Sequence, residues 1–176
     1  MKEDVDLLDQ RDLDNYAFPL SSRLSRAWAE PPDSVWVGKK HSRVSTAAVA
    51  SVVATDRPSV SDDWVEVRTT ASTETSAYKQ QIRDQLSGVE QLPDGPVAVE
   101  ISFLVGPRRN WLNLWKPSID ALEALLGRTT PTSQWHPRDG RIVALGLHRR
   151  VDETLGNDVR LAIASAPRPD APLSSR

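Results

Sequence analysis

No cysteine occurs in these 176 residues, which excludes disulfide scaffolds, thiolate metal centres and cysteine nucleophiles together and suits a reducing compartment. No stretch approaches the roughly 18 uninterrupted apolar residues of a membrane-spanning helix. The polar start Met1-Lys-Glu-Asp-Val-Asp6 has no apolar run of the signal-peptide kind. The chain therefore reads as soluble and cytoplasmic. A phosphate-cradling glycine loop is missing, since Val105-Gly-Pro-Arg-Arg109 holds one glycine and no Gly-Lys-Ser/Thr. The Gly-x-Ser-x-Gly elbow of many serine hydrolases is missing as well, and His41, His136 and His148 show no evident nucleophile and no second ligand at chelating spacing. A general excess of positive charge is also lacking. The net charge of −2 argues against an obligate nucleic-acid binder. Basic residues are nonetheless grouped at Lys39, Lys40 and Arg43, at Arg108 and Arg109, and from Arg138 to Arg150, which leaves room for a duplex-binding face on an acidic protein.

What is present is enough for a core, with 39% apolar residues and six tryptophans against two phenylalanines and one methionine. Its most informative feature is internal. Arg11, Asn15, Pro19 and Leu24 recur 98 positions later as Arg109, Asn113, Pro117 and Leu122. Each copy is followed by a Pro-x-Asp (Pro31 to Asp33, Pro137 to Asp139), by alternating apolar residues, and by His-x-Arg-Val (His41 to Val44, His148 to Val151). Three matching blocks in one order read as a duplication.

The spacing predicts a helix from Arg11 to about Trp28, with Leu13, Tyr16, Ala17, Leu20, Leu24 and Trp28 near a 3.6 period and its regular part starting close to Pro19. A strand through Val35, Val37 and Val44 and a partner over Ala47 to Ala54 follow, closing an abbreviated unit of residues 1–55; 56–63 is a linker. A longer unit over 64–165 reads β-α-β-α-β-β: Trp64 to Arg68, Ser76 to Leu86, Val97 to Val105, Trp111 to Leu126, Ile142 to Val151 and Val159 to Ala164. Residues 166–176 read as a disordered tail. The fold class expected is α+β, with small sheets covered by helices. The first unit has no counterpart of 64–105, which was either lost or lies upstream of Met1 in the reading frame.

Asp12 and Asp14 stand two apart at a helix start, a spacing that aims both to one side of an extended segment, and Asp33 enters the next strand. Three carboxylates near a helix N-terminus suit Mg²⁺, which polarises a phosphodiester and supplies a hydroxide for in-line attack. Blander readings stand beside this one. Asp12 and Asp14 suit a helix cap, and Asp33 ordinary turn chemistry. Lys116 suits an indole face or a helix edge, and Trp135 either stacks on an exposed base or pins its loop to the body.

The run Arg11-Asp-Leu-Asp-Asn15, an amphipathic helix, and an Asp before an apolar strand together resemble the RusA family of Holliday junction resolvases. Residues 11–54 are similar to the second half of that pattern, and 64–165 to a whole unit. The resemblance implies a small α+β, Mg²⁺-dependent endonuclease that acts as a homodimer on four-way DNA junctions. The family pattern is Asp-x-Asp-Asn, a Lys three residues on, an Asp four beyond, and an Asp ahead of the strand. The first copy keeps Asp12, Asp14, Asn15 and Asp33, with Phe18 and Ser22 in place of the Lys and the helix Asp. The second keeps Asn113, Lys116, Asp120 and Asp139, with Asn110 and Leu112 in place of the paired carboxylates. The expectation is an intrachain pseudo-dimer, or a homodimer, acting on branched double-stranded DNA. Asp12, Asp14 and Asp33 would hold the metal, Lys116 would steady phosphate, and Lys39, Lys40, Arg43, Arg109, Arg149 and Arg150 would contact DNA. With one complete acidic cluster such a molecule would nick rather than resolve. The alternative is a protein that keeps the fold without cutting, as a DNA-binding or assembly module.

Overall fold

A computed structural model describes residues 12–40, 44–50, 63–130, 132 and 134–168. Helix α1 is Leu13–Trp28 and strand β1 is Ser34–Gly38; then come β2 (Trp64–Thr69), α2 (Ser76–Gln85) and β3 (Val97–Val105). A 3-10 turn, Trp111–Leu114, leads into α3 (Trp115–Asp120) and α4 (Glu123–Leu126). A second 3-10 turn, Asp139–Arg141, precedes β4 (Ile142–Val151) and β5 (Val159–Pro167). The fold is α+β, as expected.

All five strands form one sheet in the order β1-β4-β3-β5-β2, rather than separate small sheets. β3 lies parallel to β4, and every other neighbouring pair is antiparallel. The β-branched run Val97-Ala-Val-Glu-Ile101 makes β3 a central strand, paired on both edges along its length. Strand β1 adds to the outer edge of β4, so a segment near the start of the chain shares the sheet of residues 64–165. Gly38 pairs with Ala144 and Ser34 with His148.

One face of the sheet carries Val99, Ile101, Phe103, Leu145, Leu147, Leu161 and Ile163, which pack with Leu13 and Ala17 of α1 and Tyr78, Ile82 and Leu86 of α2 in one core. Trp111 and Trp115 are fully buried in it, ring centroids 4.9 Å apart; truncating either to Ala costs about 3–5 kcal/mol. The opposite face is small or polar at Glu100, Ser102, Gly146, His148 and Ala164. Trp36 lies across Gly146, where an added Cβ would come within 2.7 Å of its ring.

Four expectations are corrected. Helix α1 begins at Leu13 and runs through Pro19; Pro19 and Asn15, whose carbonyl loses its amide partner there, are both exposed. Its buried positions are Leu13, Asp14, Ala17 and Ser21, whereas Tyr16, Leu20 and Trp28 are exposed. The expected helix over Trp111 to Leu126 is broken into a 3-10 turn and two short helices. Val44 and residues 45–50 are irregular and exposed rather than strand; the rest of that expected strand and nearly all of the linker lie outside the described residues. At the other end, β5 takes in Ala166 and Pro167, and the Arg168 amide donates to the Pro96 carbonyl at 2.8 Å.

Candidate active site

Asp12 is the residue at the N-terminal boundary of α1, with extended backbone, but its carboxylate makes no capping hydrogen bond. It accepts instead from Asn15 Nδ2 at 3.2 Å. Asp14, in the first turn, is 5% exposed, so the helix buries this carboxylate where its periodicity places an inward residue. From the second unit, α3 brings Lys116 and Asp120, and the 3-10 turn ahead of β4 brings Asp139. Lys116 Nζ lies 3.1 Å from Asp139, 3.1 Å from Asp120 and 3.9 Å from Asp14. Lys79 of α2 reaches Asp120 at 3.5 Å. A cleft of about 600 Å³ opens beside the cluster, with Asp14, Asn15, Phe18, Asn113, Lys116 and Asp120 among its walls.

Charge crowding shows in the ionisation of these groups. Burial raises the Asp12 carboxyl above its ordinary value and Asp139 adds to the rise, against Lys116 and Lys39. Burial likewise raises Asp14, with Lys116 opposing and Asp12 and Asp139 adding. For Lys116 burial works downward, yet Asp139, Asp14 and Asp120 together hold its ammonium well above the usual lysine range. It is a permanent cation at neutral pH, supplying charge and hydrogen bonds rather than a transferable proton.

Asp33 stands apart, which corrects the expected trio of Asp12, Asp14 and Asp33. It accepts from Arg149 Nε at 3.0 Å and Nη2 at 2.6 Å, beyond the start of β1. Lys39, whose charge acts on Asp12, lies past the other end; six extended residues separate them by roughly 20 Å. Asp139, which corresponds to Asp33 in the repeat, is the carboxylate that joins Asp12 and Asp14.

The basic residues are divided. Lys39 Nζ donates to the Gly140 carbonyl at 2.8 Å, and Arg149 is engaged by Asp33. Arg109 is half-buried, with one guanidinium nitrogen enclosed and without a hydrogen-bond partner among the described residues. Lys40 and Arg150 are exposed; Arg43 lies outside the described residues. Trp135 takes the loop-pinning role: its ring lies 5.1 Å from Lys79 Nζ and 4.8 Å from the Arg83 guanidinium carbon. Its positive φ of 65° is held by buried Glu123, which accepts from the amides of Trp135 and, at 3.2 Å, His136, and from Arg128 Nε at 3.1 Å.

One arrangement escaped the sequence altogether. Ser34 Oγ lies 2.9 Å from His148 Nδ1, and His148 Nε2 lies 3.1 Å from Glu100, so one histidine does meet a hydroxyl and a carboxylate. Burial lowers the His148 value and Glu100 opposes it. The three residues sit on β1, β4 and β3, joined only by strand register, and Trp36 packs on the imidazole at 4.9 Å. The chain ties the edge strand to the sheet centre.

Among the described residues no three or more carboxylate or imidazole groups form an arrangement able to hold a metal ion, and no helix is long and apolar enough to cross a membrane. Mg²⁺ needs only one or two carboxylates and keeps several waters. Asp12 and Asp14, both raised by burial and neighbouring negative charge, fit such an ion. No family model matches this chain, and neither a curated protein nor a solved structure matches it.

Proposed function

We propose that the protein is a Mg²⁺-dependent endodeoxyribonuclease acting on branched, four-way-junction-like DNA, as its resemblance to the RusA family implies. The observation that carries this reading is the convergence of Asp12 and Asp14, from one repeat, with Lys116 and Asp139, from the other, around one cluster. The duplication itself gains support from strand register. The shift that carries Pro31 onto Pro137 and Asp33 onto Asp139 also carries Gly38 onto Ala144, and those two residues face each other in the β1–β4 ladder. Corresponding residues meet in this way across the axis of an isologous pair.

In this reading Asp12 and Asp14 would hold the ion, which when bound would polarise a phosphoryl oxygen and make a bound water more acidic. Lys116 exchanges its contacts with the carboxylates for a phosphate oxygen and balances the charge that develops there. Asp120 and Asp139 aim the lysine side chain. Asn15 and Asn113, on the walls of the cleft, offer neutral donors to the sugar-phosphate backbone. Exposed Lys40 and Arg150 supply contacts that set register without reading bases.

The second reading, a module that binds branched DNA or a partner without cutting, has one observation in its favour. The Lys116 ammonium already sits among Asp14, Asp120 and Asp139, where it offsets the charge that would draw a metal. An end-labelled four-way junction with Mg²⁺ separates the two, run beside Asp14→Asn. Cutting by the wild type and none by the variant, with equal binding, supports the nuclease; binding without cutting by either overturns it in favour of the module.

A further inference from the structure

A second cleft, of about 610 Å³, is walled by α2, α4 and the loop after α4, and no residue lines both it and the cleft beside Asp14 and Lys116. Arg83 enters it from α2, and Arg128 and Arg138 from two facing segments of the loop. Those segments form a short ribbon. The Arg138 amide donates to the Gly127 carbonyl and the Thr129 amide to the His136 carbonyl, each at 3.0 Å, around an Arg128–Pro137 bridge. Gly127, at a φ of 74°, carries no Cβ, and the Gln91 side chain lies 3.1 Å from where one would stand. The carboxylates nearby are either committed or loosely held. Glu123 is buried and accepts from the amides of Trp135 and His136 and from Arg128. Asp94, 81% exposed, holds Arg138 at 2.6 Å, and Asp84, 61% exposed, stands 3.9 Å from Arg83. Pairs so open to water carry little energy, so a phosphate, whose oxygens match the guanidinium fork, can take the place of either aspartate.

Two connections run from this cleft to the candidate active site. Lys79, on the wall of the first cleft and bound to Asp120, and Arg83, on the wall of the second, hold the same Trp135 ring. Four residues apart on α2, they are offset by about 6 Å along the helix, on the order of two nucleotides of duplex rise. Arg138 and Asp139 are consecutive, and they send a guanidinium into the second cleft and a carboxylate onto Lys116.

We infer that Arg83, Arg128 and Arg138 form a second phosphate site, which grips the DNA backbone a short way along the strand from the scissile bond and so delivers that bond to Asp12, Asp14 and Lys116. The inference rests on the reading of the protein as one that acts on DNA and adds to it the track along which the strand runs. Guanidinium contacts to phosphate set register without reading bases, so this site grips every sequence alike.

The test is binding of a labelled four-way junction to the full-length chain in EDTA over a range of salt, with cutting then read after Mg²⁺ is added. The double variant Arg83→Gln/Arg138→Gln removes two phosphate contacts and leaves Arg128 on Glu123. The slope of log affinity against log salt should become shallower by about two, and affinity at about 0.1 M salt should fall about tenfold or more. Arg83→Lys/Arg138→Lys keeps both charges and restores the slope, and Arg23→Gln, exposed on α1, leaves it as in the wild type. A slope unchanged in the glutamine variant, or not restored by lysine, overturns the second phosphate site, and wild-type cutting in Mg²⁺ then keeps the nuclease reading in place. The expected slopes with no cutting support the site and sink the nuclease. A junction that the wild type does not bind sinks both.

Discussion

The two ends of the shared β1–β4 ladder hold the same kind of residue in opposite states. At one, Asp139 sits with Asp12, Asp14 and Asp120 around Lys116, with Lys79 also reaching Asp120, and burial makes the charges of Asp12 and Asp14 harder to keep. At the other, Asp33 lies exposed and receives two hydrogen bonds from one guanidinium. A carboxylate with its own counter-ion is at rest; crowded carboxylates that outnumber the ammonium groups touching them favour an incoming cation. Residue type alone does not separate these cases, since both ends show the same Pro-x-Asp. The number of partners contributed from elsewhere in the chain does.

The sharpest way to break the comparison is Asp14→Asn, expected to lower cutting about a hundredfold or more. Its effect on stability runs the other way. Because the folded-state carboxyl is raised, the wild type is favoured below the unfolded value and loses that advantage as pH rises through the folded one. The variant should therefore melt at or above the wild-type temperature at neutral pH, with the difference shrinking in acid; thermal scans at the two pH values check it. Next in size is Lys116→Met, with a loss of about ten- to a hundredfold. Lys116 lowers both Asp12 and Asp14, so removing it moves the acid limb of the pH–rate profile to higher pH. An unmoved limb means that neither carboxyl controls the rate.

Glu123→Ala loosens the loop between α4 and Asp139 and leaves the amides of Trp135 and His136 unpaired. It should cost about 1–3 kcal/mol in urea unfolding and reduce cutting while leaving the Asp33–Arg149 pair intact. The smallest change belongs to Asp33→Asn. It removes an exposed pair worth about 1 kcal/mol at most, so the urea midpoint should barely shift; a large shift would show that this corner carries more than one ion pair.

Periodicity located α2 and all four strands of the longer unit, with β3 and β4 beginning and ending where alternation begins and ends, but it ran the 3-10 turn, α3 and α4 together as one helix. Local pattern speaks for elements whose partners lie nearby or whose faces are uniform. It is half right for α1, where Leu13 and Ala17 of the expected stripe face in together with Asp14 and Ser21, while its Tyr16, Leu20 and Trp28 face outward, because close packing against the sheet there selects small residues. Pro19 gave the wrong start for the same helix, since a lost bond on the exposed side is tolerated. The site was half legible. Asp12, Asp14 and Lys116 were singled out, but Asp33 was placed among them because it is nearer in sequence than Asp139. Which of two corresponding aspartates joins a cluster depends on strand order, and nothing short of the β1–β4 pairing reveals it. The Ser34–His148–Glu100 chain was hidden for the same reason.

Edge pairing between β1 and β4 also governs when the molecule becomes whole. Its register is written by residues more than a hundred positions apart, a long loop to close and a slow one. During synthesis Asp12 and Asp14 leave the ribosome early and wait, without their cluster, until Asp139 and the strand behind it have emerged. A product terminated anywhere before that point carries Asp12 and Asp14 without the Asp139 whose charge meets theirs in the complete fold.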